Sequence, residues 1–162
     1  ENKYAIMTDR NEVSGMRHAE EMMQLALEQA VMDANEVPVG AVIEKDGQVI
    51  ALAHNEREKG SCFAHAEVLA MERACKVLGT RRLSGCTMYV TLEPCPMCAG
   101  AMVMAGLEKC VFGAYDEKQG CCGSVYLLTE DPAFYHRVET VGGVMEAQCR
   151  QVLQDFFVNK RT

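Results

Sequence analysis

Thr87-Met-Tyr-Val-Thr-Leu-Glu-Pro-Cys-Pro-Met-Cys98 decides the fold. Its first half, Thr87 to Thr91, is β-rich and apolar, the composition of a buried strand. Pro94 and Pro96 end that strand and open a helix running to about Ala105, because proline suits a first helical position. Cys95 and Cys98 therefore sit three apart on a helix's first turn and project from one side. There they can bind one ion together, at about 2.3 Å each. The helix N-terminus also favours the thiolates that such binding requires.

Helices and strands alternate on both sides of this stretch. Met16, Ala19, Met23, Ala26 and Ala30 recur at helical spacing and predict a helix from Met16 to Asp33. Glu36-Val-Pro-Val-Gly40 then turns the chain into a strand, Val39 to Glu44. Asp46-Gly47 is a hairpin signal, and Gln48 to Ala53 is the return strand. Asn55 to Ser61 is polar and reads as a loop. Ala64, Val68, Met71, Cys75 and Leu78 mark a second helix ending near Gly79. Lys109 to Ala114 is a further strand, Gln119 to Ser124 a loop, and Met145 to Phe157 an amphipathic closing helix. The alternation predicts an α/β sheet covered on both faces.

The 162 residues suit one compact domain, expected to span 16–162 behind an N-terminal tail, Glu1 to Gly15. That tail lacks the apolar segment of a secretory signal, and no apolar run is long enough for a bilayer. Nine cysteines are an odd set, which argues against a disulfide framework and for a reducing, cytoplasmic setting. Cys121 and Cys122 are adjacent and read as loop packing rather than a bridge. A net charge of −7 weighs against a nucleic-acid partner without excluding a local basic groove.

His65-Ala-Glu67 opens the second helix and supplies a third ligand. Three protein ligands leave a fourth tetrahedral position for water, which is the pattern of catalytic rather than structural zinc. Glu67 stands two residues after His65, near enough to move protons without ligating the metal. Zn2+, one per chain, suits this ligand set best. Alone, Cys-x-x-Cys also fits a structural knuckle or a redox pair. With His-x-Glu on another helix start, the chemistry expected is hydrolytic removal of an amine from an amidine-like carbon.

Nearly the whole chain, from about Met16 to Phe157, resembles the cytidine deaminase-like superfamily, and most closely the bacterial tRNA adenosine deaminases. The stretches that carry the likeness are Glu36 to Val42, Ala64 to Glu67, Thr91 to Ala101, Val111 to Ala114, Asp116, Gly120 to Ser124, His136 to Glu139 and Asp155 to Phe157. The resemblance implies a three-layer α/β/α sandwich, a mixed five-stranded sheet and a homodimer. It implies that Val37, Pro38 and Asn55 line a base pocket, with the Ala66 backbone and the Asn55 amide reading the base edge. It places Phe157 at the pocket wall, where core packing or a dimer contact is the other role. Phe63 reads equally as a stacking platform or as packing ahead of the helix, and Asp116 as a cap for its loop or a substrate contact.

Three places depart from the tRNA enzymes: Ser61-Cys-Phe63, Met104-Ala-Gly-Leu107 and Tyr135. They are expected at the pocket rim. Two substrates stay open. The C-terminal match favours the wobble adenosine of a tRNA anticodon loop, with Arg57, Lys59, Lys118, His136 and Arg137 as candidate phosphate contacts. The departures and the acidity favour a free nucleobase or nucleoside. A catalytically inactive partner subunit is the non-enzyme alternative, and the intact Glu67 argues against it.

Overall fold

The computed structural model describes residues 10–161. Helix α1 (Arg10–Ala30) leads into a hairpin of β1 (Gly40–Lys45) and β2 (Gln48–His54). Then come α2 (Ala66–Leu78), β3 (Cys86–Leu92), α3 (Pro96–Ala105), β4 (Lys109–Ala114), β5 (Glu139–Val141) and α4 (Glu146–Arg161). The sheet order is β2-β1-β3-β4-β5, with β1 antiparallel to both neighbours and β3, β4 and β5 parallel. The mixed five-stranded sheet expected from the resemblance is therefore present.

Period-two alternation sorts the side chains into two layers. Ala41 and Ile43, Met88 and Val90, Cys110 and Phe112 face the layer that holds Ala70, Ala74 and Met102 of α2 and α3. Val42, Tyr89 and Val111 face the other way, onto Met23 and Ala26 of α1 and Cys149 of α4. These strands are buried on both faces, which is why they read as apolar runs. Cys149 is fully buried in that second layer.

Asp46 (φ 50°) and Gly47 (φ 77°) both take left-handed backbone, which the two-residue turn between β1 and β2 demands. Gly40 serves contact rather than conformation: a Cβ there would overlap the carbonyl oxygen of Ala26, so only glycine lets α1 press onto the start of β1.

α1 begins at Arg10, six residues ahead of the predicted Met16, while the rest of the expected tail, Glu1 to Asp9, lies outside the described residues. The resemblance implied a fifth strand, but the residue pattern did not place β5. Among the described residues, no helix is long and apolar enough to cross a membrane.

Candidate active site

Four chain segments converge at one end of the sheet. The antiparallel pairing sets the start of β1 beside the end of β2 and the end of β3, and β4 ends next to β3. α2 and α3 both start there. His65 is the residue just before α2 and Cys95 the residue just before α3, and both have extended backbone. Pro96 occupies the first turn of α3, as the sequence predicted.

The ligand atoms of His65, Cys95 and Cys98 all lie within 4.8 Å of one another. His65 Nδ1 is 3.6 Å from the Sγ of Cys95 and 3.6 Å from that of Cys98. Tetrahedral zinc, with bonds of about 2.0–2.3 Å, separates its ligand atoms by about 3.5–3.8 Å. The triangle therefore fits zinc.

Electrostatics at the two helix starts agree with that fit. A side-chain hydrogen bond with Cys98 holds Cys95 down to about 5, aided by the backbone N–H groups of Cys98 and Met97 and by His65, against the effect of burial. Cys98 is pushed up by that same bond, by burial and by Glu67. Cys95 is thus the readier of the two to supply a thiolate.

Glu67 is 4% exposed, and its Oε2 lies 3.4 Å from Cys98 Sγ. Burial, then the nearby charge of Cys95, raises its pKa. A carboxyl that takes up a proton more readily than usual is what a proton shuttle needs. It meets the cysteine pair without being part of the ligand triangle.

His65, Glu67, Glu93 and Cys95 open onto a cleft of about 140 Å³. Val37, Val39 and Leu92 supply its apolar surface; Asn55 and Arg57 line it from the loop after β2, and Asp116 and Gln119 from the loop after β4. Asn55 Nδ2 donates to the Val37 carbonyl at 3.2 Å, and Asn55 Oδ1 accepts the Ala66 N–H at 2.9 Å. Asp116 Oδ1 accepts the N–H groups of Lys118 and Gln119 at 3.0 and 3.2 Å, so it caps its own loop as well as facing the cleft.

Other expected residues sit elsewhere. Pro38 is buried between the lining residues Val37 and Val39 but does not itself line the cleft. Phe63 (66% exposed) and Phe157 do not line it either, and the Phe157 ring meets Phe156 at 5.3 Å. Two of the three departures also lie away from the cleft. Tyr135 hydroxyl donates to the carbonyls of Val103 and Met104 (3.4 Å each), and His136 Nε2 bonds the Leu107 carbonyl at 2.7 Å. Met104, Leu107 and Tyr135 thus meet at the far end of α3, opposite its cysteines.

Two buried carboxylates escaped the sequence reading. Glu36 accepts the backbone N–H groups of Arg57 and Glu58 at 3.1 and 2.8 Å. Glu93 accepts from Asp116, Cys122 and Ser124. For Glu93 the available signal was a lone acid inside an apolar stretch with no basic residue beside it.

Comparison with known proteins settles the family, since a family model described as MafB19-like deaminase matches residues 16–161. The chain belongs to this deaminase family. It is 49% identical, over 83% of its length and 88% of the relative, to the tRNA-specific adenosine deaminase of Bacillus subtilis strain 168. Among solved structures, a tRNA:A34 deaminase studied for A-to-I editing at the wobble position superposes with a TM-score of 0.78. It is 39% identical, covering 82% of this chain and 99% of its own. The guanine deaminase of Bacillus subtilis matches less of the fold, with a TM-score of 0.57, 40% identity and coverage of 59% and 64%. The resemblance drawn from the motifs is borne out, as are the fold class and the hydrolytic deaminase chemistry.

Proposed function

We propose that this deaminase converts the wobble adenosine of a tRNA anticodon loop to inosine, with zinc held by His65, Cys95 and Cys98. One observation carries the reading: the ligand triangle, with Glu67 buried against it, opens onto a cleft whose polar lining comes from two separate loops. The extended similarity to tRNA-specific adenosine deaminases supports tRNA over a free base. So does the placement of Met104, Leu107 and Tyr135 away from the cleft, which removes the reason those departures gave for a changed substrate.

Zinc, when bound, supplies a Lewis acid that makes water a nucleophile near neutral pH. Glu67 takes a proton from water on its carboxylate and returns protons to the ring nitrogen and the departing amine. The oxygen of water ends on the ring carbon, and ammonia leaves. Val37 and Asn55 hold the base, while burial around Glu67 keeps bulk water from its carboxyl. Arg57, exposed at the rim, supplies positive charge for the RNA backbone. The proposal also takes 16–162 as the catalytic domain and a second copy of the chain as its dimer partner. Nine unpaired thiols are in keeping with a reducing, cytoplasmic setting.

The test is incubation of the zinc-loaded protein with an anticodon stem-loop carrying adenosine at the wobble position. Nucleoside mass spectrometry should find inosine at that position alone. Recovery of unmodified adenosine rejects the reading.

A further inference from the structure

We propose that Glu93 is a positioning residue that fixes the substrate-facing wall of the cleft through the loop from Asp116 to Ser124. Its side chain is 2% exposed, and no lysine or arginine bonds it among the described residues. Four donors converge on its two oxygens instead. Oε1 accepts the Asp116 N–H at 3.1 Å and the Ser124 hydroxyl, and Oε2 accepts the N–H groups of Cys122 (3.1 Å) and Ser124 (3.0 Å). Both ends of one loop are thereby tied to one carboxylate.

The loop closes over that carboxylate at Gly120, where any Cβ would overlap the Glu93 carboxyl group. Cys121 N–H bonds the Pro94 carbonyl at 2.9 Å, and Glu93 N–H bonds the Ala114 carbonyl at 2.8 Å, so backbone ties flank the side-chain ones. Asp116 and Gln119, the cleft residues from this loop, hang from that clasp. Their counterparts Asn55 and Arg57 do not depend on it, because Glu36 holds the Arg57 backbone. A carboxylate accepts at both oxygens; a glutamine would turn one of them into an N–H2 group facing two donors.

The inference rests on the proposed tRNA substrate, and the wild type run in parallel separates the two. Glu93→Gln in the full-length, zinc-loaded protein should keep its zinc and its kcat on the adenosine stem-loop. Its KM should rise about tenfold, because lost hydrogen bonds in a binding wall weaken ground and transition states alike. Ser124→Ala removes one of the four bonds and should raise KM by about two- to threefold in the same manner, which keeps the test open if Glu93→Gln does not fold. Unchanged KM in Ser124→Ala, or in a folded Glu93→Gln, overturns the proposal. So does a fall in kcat or in zinc at constant KM, which would place Glu93 at the metal centre instead. If the wild type itself leaves the stem-loop unmodified, the substrate reading has failed rather than the clasp.

Discussion

Asn55 Oδ1 accepts the backbone N–H of Ala66 at 2.9 Å, tying the loop after β2 to the first turn of the helix that carries Glu67. The same amide donates to Val37, so one side chain joins the cleft's apolar wall to its proton shuttle. Removing it strands a buried donor and a carbonyl at once. Asn55→Ala should lower stability by about 1–3 kcal/mol and raise KM, with zinc content unchanged. Chemical denaturation, kinetics and elemental analysis of the one variant check all three; unaltered kinetics would make Asn55 purely structural.

Glu67→Ala should retain zinc, since its carboxylate lies outside the His65, Cys95 and Cys98 triangle. Turnover should fall by roughly 10²–10⁴-fold or more, the range for loss of a positioned acid–base group. Near wild-type activity would remove Glu67 from the mechanism.

Cys95→Ala and Cys98→Ala should each lose the metal, because two ligands cannot hold zinc as three do. Removing zinc from the wild type by chelation should also lower thermal stability, since the triangle joins the starts of α2 and α3. Zinc at about a thousand times its Kd contributes roughly 4 kcal/mol to the folded state. Full occupancy in either variant, or a melting temperature indifferent to chelation, contradicts the ligand assignment.

Burial pushes Cys149 up to about 12 from the ordinary thiol value of 9.0. A raised folded-state value means that the fold prefers the neutral thiol. The stabilisation is fully present below pH 9 and is lost as pH rises toward 12. Thermal melts from pH 8 to 11 should therefore show a decline that is shallower in Cys149→Ala. Parallel declines in the two proteins would show that Cys149 does not contribute.

How much of this was legible in advance follows from where the information lies. β1, β3 and β4 showed because their burial on both faces leaves an unbroken apolar run. β5 did not: its three residues include exposed Glu139 and Val141, and only pairing with β4 makes it a strand. His65, Glu67, Cys95 and Cys98 were legible because a helix start fixes the direction of a side chain from sequence spacing alone. Glu36 and Glu93 were not, since all their partners but the Ser124 hydroxyl are backbone N–H groups 21 to 31 residues away. Those groups carry no side-chain signature.

The most direct test of the central claim is kcat/KM by ammonia release, comparing a wobble-adenosine stem-loop with free guanine, cytosine and adenosine. Turnover of the stem-loop, with the free compounds at background, is the predicted result. Turnover of a free base with the RNA untouched would contradict it and reassign the cleft to a small molecule.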